Sequence, residues 1–212
     1  MDKEWERAYN QNYLLKPIDI YNGWLVKAED LRYYDSINLD DFDEVFIHAD
    51  TTHTGKSTSD YFATWVIGMS KKDKNFYVLD FILDKIDVEQ QARSCISLYS
   101  KYSKKVKKMT YDEKSNQWFW FWIKKLAKEE YNISLPIQEL KYPSDKVTHF
   151  EPHVPHFKAN RVYLPSNHNK LTTATDQLLA FPTKWVHDDF CDFLSWCLDN
   201  YNKNNSDILY IL

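Results

Sequence analysis

The sequence predicts an α/β fold built on a mixed five-stranded sheet flanked by helices, and three observations carry that prediction. Two aromatic, β-branched runs, YFATWVIGMS (61–70) and FYVLDFIL (76–83), are joined by a short charged segment and read as a β-hairpin. From Asp87 the apolar spacing changes to Val88, Ala92, Cys95, Ile96 and Tyr99, a helical period with Asp87 as N-cap. Beyond that point strand-like and helix-like segments alternate, as they do where crossovers build a parallel sheet.

Residues 1–43 mix aromatics and charges without a sustained period and read as an N-terminal arm or linker to a domain spanning 44–212. The first strand is VFIHA (45–49), which ends in Asp50; the hairpin supplies the second and third. After the helix begun at Asp87, VKKMTY (106–111) is a fourth strand, followed by Asp112 and Glu113. A second helix over 115–130 carries the run WFWFW on every face and is expected to be largely buried. A fifth strand occupies 133–140, the Pro- and His-rich stretch 141–170 resists assignment, and helices over 171–180 and 188–201 are separated by Phe181-Pro182. The order β-β-β-α-β-α-β-α, with the first three strands antiparallel and the first, fourth and fifth parallel, is that of a ribonuclease H-like sheet.

The string HADTTHTGKSTSDYF (48–62) contains Gly-Lys-Ser and imitates the second half of a phosphate-binding loop. The position that should be the loop's first glycine is Asp50, whose carboxylate would repel phosphate, and a strand rather than a helix follows. A nucleotide site is therefore not expected here.

With 212 residues, 17% aromatic content and only 3 Gly, the chain has material for one sizeable domain. Its formal net charge of −4 does not advertise a polyanion partner, so any nucleic-acid surface must be a local patch. One candidate patch is Lys101, Lys104, Lys105, Lys107 and Lys108; another is Lys141, Lys146, Lys158, Arg161 and Lys170. The three cysteines at uninformative spacings argue for buried free thiols in a reducing compartment. No apolar run suits a membrane span, and the start MDKEWER has no signal-peptide core, so an intracellular protein is expected.

Acidic groups stand at three corresponding places: Asp50 at the end of the first strand, Asp112-Glu113 at the end of the fourth, and Asp188-Asp189 at the start of the last helix. Where the first and fourth strands are parallel neighbours, their ends converge. Clustered carboxylates repel one another unless a cation neutralises them, and hard oxygen ligands suit Mg²⁺ or Mn²⁺. Two such ions about 4 Å apart could activate water and stabilise the leaving oxygen in phosphodiester cleavage. In the last helix, Asp189 lies at the margin of the apolar stripe Phe190, Phe193, Leu194, Cys197, Leu198 and Tyr201, whereas Asp188 and Asp192 point away. Alternation from Met109 and Tyr111 selects Glu113 over Asp112. The expected catalytic and metal-binding set is therefore Asp50, Glu113 and Asp189, with Asp112, Asp188 and Asp192 as alternatives.

These residues resemble the nuclease domain of the large terminase subunits of tailed bacteriophages over most of the chain. The resemblance rests on a strand ending in Asp50 that leads through Gly55 to Asp60-Tyr61, on Glu113 with Gln117 four residues on, and on Lys146 preceding RVYLP. Its most specific part is LLAFP followed by HDDFCD (His187 to Asp192). It implies metal-dependent cleavage of concatemeric double-stranded viral DNA with two Mg²⁺ or Mn²⁺ ions, and Lys146 as a DNA contact. It also implies the portal protein and small terminase subunit as partners, and a place in the host-cell cytoplasm. The packaging ATPase of the full subunit has no counterpart in this sequence, so an isolated nuclease domain is expected. A junction resolvase, another ribonuclease H-like nuclease, and a catalytically dead DNA- or protein-binding module are the competing readings. His149, His153 and His156 suggest zinc by spacing, but Pro152 and Pro155 break any helix that would align them.

Overall fold

The computed structural model describes residues 25–52, 61–112, 117–141, 145–183, 189–191, 194, 195, 197 and 198. Its sheet has seven strands: β1 (Arg32–Tyr34), β2 (Phe42–Asp50), β3 (Phe62–Ser70), β4 (Phe76–Asp84), β5 (Val106–Asp112), β6 (Ile137–Leu140) and β7 (Val162–Pro165). Across the sheet they run in the order β1-β7-β4-β3-β2-β5-β6. The hairpins β2–β3 and β3–β4 are antiparallel, and β2–β5, β5–β6, β4–β7 and β1–β7 are parallel. Only β3 opposes the other six, so the carboxyl ends of β2, β4, β5 and β6 share one edge.

The five expected strands are all present in the expected directions, and the class is the expected one. The two extra strands, β1 and β7, are three and four residues long and pair with each other beyond β4. Segments that short contain no readable alternation, and their extended shape comes from pairing rather than propensity.

The helices are α1 (Val88–Tyr102), α2 (Gln117–Tyr131), α3 (Lys146–Phe150), α4 (Val154–Lys158) and α5 (Leu171–Ala180). The start of α1 is fixed as the sequence predicts: Asp87 accepts from the Gln90 N–H at 2.8 Å, and Gln90 accepts from the Asp87 N–H at 3.2 Å. Helices cover both faces of the sheet. One core joins Val45, Ile47, Ala49, Met109 and Tyr111 to Ala92, Cys95 and Ile96 of α1 and Phe119, Trp120 and Ile123 of α2. The other joins Phe46, Ala63, Trp65 and Leu83 to Phe150, Phe157, Leu178, Phe190 and Leu194. Successive residues of β2 therefore feed opposite cores, as the pleat requires.

The aromatic run of α2 is a correction to the expectation that this helix is largely buried. Phe119 and Trp120 are buried, but Trp118 is 79% and Phe121 65% exposed. A helix lying on one face of a sheet covers only the stripe Phe119, Trp120, Ile123 and Ala127; Trp118 and Phe121 stand on the opposite side.

Burial, aided by His153 and Arg161, pushes the His156 imidazole down to about 4. Between that value and the ordinary 6.5, the folded chain holds fewer protons than the unfolded one, so stability falls as pH is lowered through this window. The melting temperature is expected to drop from pH 7 to pH 4.5 and to drop less in His156→Gln. Parallel melting-temperature profiles of the two proteins check this, and equal drops would overturn it.

Candidate functional site

Parallel pairing of β2 with β5 matches Ile47 to Met109 and His48 to Thr110. Two residues further along each strand are Asp50 and Asp112, the last residues of both. Neighbouring strands lie about 4.8 Å apart, so the two acids end the sheet side by side. They also share a face. His48 Nδ1 and Thr110 Oγ1 are hydrogen-bonded at 2.9 Å across the strands, and alternation carries that face on to both acids.

This pairing depends on a bulge. Val45 matches Val106, but Phe46 matches Lys108, so β5 carries one additional residue at Lys107. Without it the same count would set Tyr111 opposite Asp50. With it, Asp112 takes that place.

The face argument also bears on the expected choice of Glu113. Met109 and Tyr111 belong to the core beneath Ile47 and Ala49, the face opposite to that of Asp50. Alternation from them therefore turns Asp112, not the following residue, toward the Asp50 face. β5 is buried on both faces, so burial alone does not say which face is which. Glu113 itself lies outside the described residues, as do Asp188 and Asp192 and the segment with Gly55 and Asp60.

Asp189 is helical and only 7% exposed. Its neighbour Phe190 meets Trp65 edge to face at 4.0 Å, and Trp65 is the registered partner of His48 across β2–β3. The segment that carries Asp189 thus packs on the face from which Asp50 and Asp112 emerge. Of the predicted stripe, Phe190, Leu194, Cys197 and Leu198 are buried there while Phe193 and Tyr201 lie outside the described residues, and Cys191 and Ser195 are buried as well.

Lys146 is half-buried and opens α3, one turn before the buried His149. Burial, with a smaller contribution from His149, pushes the His48 imidazole down to about 3. Phe150, next to His149, packs in the same core as Phe46, so α3 is brought toward the strand that ends in Asp50.

Two carboxylates side by side supply hard oxygens suited to a divalent cation. Among the described residues, however, no three His, Cys, Asp or Glu side chains gather closely enough to hold an ion. That applies to Asp50, Asp112 and Asp189 together, and equally to the histidines suggested for zinc. Ring centroids of His149 and His153, and of His153 and His156, are 6.3 Å apart.

The lysine run near residue 105 lies at the opposite end of β5. Lys101 pairs with Asp80 at 2.6 Å, Lys107 with Glu44 at 3.3 Å, and Lys105 donates to the Phe42 carbonyl at 2.9 Å. Seven residues of strand place this edge roughly 20 Å from the acids. The phosphate-loop imitation also ends here: the strand β3 stands where a phosphate loop would open a helix.

Sequence reasoning missed four buried polar side chains that surround the acids: His48, Thr110, Gln91 and Gln177. A signal for the glutamines was present. Gln91 sits on the apolar stripe of α1 with Val88, Ala92 and Cys95, and Gln177 on that of α5 with Ala174 and Leu178.

A mixed sheet led by an antiparallel three-strand unit, covered by helices on both faces and with acids at its carboxyl edge, is a ribonuclease H-like α/β fold. Within that class, the solved structures it matches over most of its length include terminase nuclease domains. The human cytomegalovirus terminase nuclease domain, Mn-soaked and inhibitor-bound, aligns with a TM-score of 0.61 at 12% identity, covering 86% of this chain and 97% of that one. The large-terminase nuclease domain of bacteriophage SPP1 with bound Mn aligns at 0.55 and 15% identity, covering 83% and 99%. That of P22 aligns at 0.57 and 10% identity, covering 84% and 92%. No protein-family model and no curated protein sequence matches the chain. Among the described residues, no helix is long and apolar enough to cross a membrane.

Phe190 fixes the Asp189 segment to the sheet through Trp65, which itself stacks on Phe81 at 4.3 Å. Phe190→Ala is expected to cost about 3–5 kcal/mol in urea unfolding. A loss below about 1 kcal/mol would mean that this segment is held elsewhere.

Proposed function

We propose that this chain is a divalent-metal-dependent endodeoxyribonuclease that cleaves concatemeric double-stranded viral DNA during genome packaging. The observation that carries the reading is the registered placement of Asp50 and Asp112 at the carboxyl edge of a sheet with the terminase nuclease fold. The SPP1 neighbour holds Mn, and that of phage G20c has been seen with magnesium, which suits the hard oxygen donors of this edge.

On this reading Asp50 and Asp112 would hold the metal, with Asp189 and Glu113 as further donors. Bound Mg²⁺ or Mn²⁺, as one or two ions, supplies positive charge against the scissile phosphate and a water of lowered pKa. The residues of the chain hold that charge in place. Asp50 and Asp112 are set by the strands, and Asp189 is delivered by a helix packed on the same face. Lys146 contributes a point charge to a DNA phosphate. Double-stranded DNA is the partner of this edge. The portal protein and small terminase subunit are the proposed protein partners, and the host cytoplasm the proposed setting. The proposed nuclease unit is residues 44–212 together with β1 and the start of β2, which join its sheet from within the expected arm 1–43.

Plasmid nicking is expected with Mg²⁺ or Mn²⁺ and to cease in excess chelator. Asp50→Asn, Asp112→Asn and Asp189→Asn are each expected to lower the rate by about 10²-fold or more, because each removes charge that preorganises the site. Glu113→Gln, measured beside Asp112→Asn, is expected to cost less. Asp188→Asn and Asp192→Asn are expected to stay near the parent rate. Cleavage that persists in chelator would overturn the assignment.

Lys146→Ala is expected to lower the slope of log affinity against log salt for duplex DNA by about 0.9, the contribution of one phosphate contact. An unchanged slope would remove Lys146 from the interface.

A further inference from the structure

Gln91 and Gln177 are both buried, 0% and 3% exposed, and both direct their hydrogen bonds at residues flanking the acids. Gln91, in the first turns of α1, donates through Nε2 to the Thr52 carbonyl at 3.2 Å, to Thr52 Oγ1 at 3.0 Å and to the Ile86 carbonyl at 3.0 Å. Its Oε1 accepts from the Thr52 N–H at 3.2 Å. Thr52 stands two residues beyond Asp50, so this amide clamps the chain where it leaves β2. Gln177, in α5, accepts the Phe190 N–H on Oε1 at 2.9 Å, while its carbonyl accepts from Cys191 Sγ at 3.8 Å. Phe190 directly follows Asp189.

A buried amide is costly unless its polar atoms are bonded. Neither glutamine spends its bonds on regular secondary structure. Gln91 ties α1, on one face of the sheet, to the exit of β2. Gln177 ties α5, on the other face, to the backbone N–H that directly follows Asp189. The two acids that come from different parts of the chain are thus each set by a buried side chain contributed from elsewhere.

We infer that Gln91 and Gln177 are positioning residues for the metal site, Gln91 acting on Asp50 through Thr52 and Gln177 acting on Asp189 through Phe190. The inference rests on the proposed metal-binding role of these acids. A carboxylate free to wander binds a cation more weakly than one held at a fixed distance from its neighbour, and outer partners of metal ligands typically contribute about 10–100-fold to affinity.

The test is Mn²⁺ binding by calorimetry on the folded chain, well below its melting temperature, with a melting curve for every variant. Gln91→Met and Gln177→Met keep length and volume but remove the bonds. Each is expected to weaken Mn²⁺ by about 10-fold or more, and nicking is expected to recover as Mn²⁺ is raised. Gln177→Glu keeps an acceptor for the Phe190 N–H and is expected to retain more of the affinity. Gln91→Glu loses the three donated bonds and is expected to behave like the Met variant. Should Gln91→Met fail to fold, Thr52→Val removes one of the same bonds from the other side and is expected to weaken Mn²⁺ in the same direction. Unchanged Mn²⁺ affinity in the glutamine and Thr52 variants, with Asp50→Asn abolishing binding, would make the glutamines purely structural and overturn the inference alone. Unchanged affinity in Asp50→Asn would overturn the metal reading and this inference with it.

Discussion

Everything at the candidate site depends on how β2 pairs with β5. The two strands could run parallel in any register, but only one sets Asp50 beside Asp112 on a shared face. A one-residue slip would turn the β5 acid to the other side of the sheet. Three features oppose that slip. The bulge at Lys107 shifts the count by one, and the Val45 N–H donates to the Lys105 carbonyl at 2.9 Å just before it. The His48–Thr110 bond, fully buried, then locks the two strands one step before the acids. Neither polar group can reach water there, so losing the bond would cost His48 Nδ1 a buried partner, while Thr110 Oγ1 would keep its bond to the Ile47 carbonyl at 3.3 Å.

Coverage on both faces gives that register its force. Ile47 and Ala49 are held by α1 and α2, while Phe46 and His48 are held by the layer that contains α3 and the Phe190 segment. A strand buried on one face only could rotate or fray at its end. This one is gripped on alternate residues up to Ala49, and the grip ends where the acid begins. The carboxyl edge is thus the first place where the chain leaves the core, which is where α/β sheets present ligand sites.

The sheet was legible because its central strands are long. Nine-residue runs of aromatic and β-branched residues in β3 and β4 speak for themselves, and so does the capped period of α1. The strand directions followed from connection lengths. What was illegible had specific causes. β1 and β7 are too short to show a period and exist by pairing with each other. The outward side of α2 could not be read because both its faces are aromatic, so composition carries no direction. The same ambiguity bears on the choice between Asp112 and Glu113: Tyr111 and Thr110 are both buried, and nothing local says which of them shares a face with Asp50. The bulge that decides the matter lies in VKKM, where no glycine or proline marks it.

Charge placement sets a condition on how such an edge could meet DNA. The chain carries a net charge of −4, and its densest run of lysines is at the far edge of β5, with Lys101, Lys105 and Lys107 already engaged by neighbours. At the carboxyl edge, Lys170 is paired with Asp84 at 3.2 Å. Phosphates approaching Asp50 and Asp112 therefore meet negative charge first. On the proposed reading, the divalent ion converts that repulsion into attraction, so metal and DNA must raise each other's affinity by the same factor. Whatever weakens the hold on the metal, including a misplaced carboxylate, then weakens DNA binding as well. In this fold the buried polar residues behind the acids would govern substrate affinity without touching the substrate.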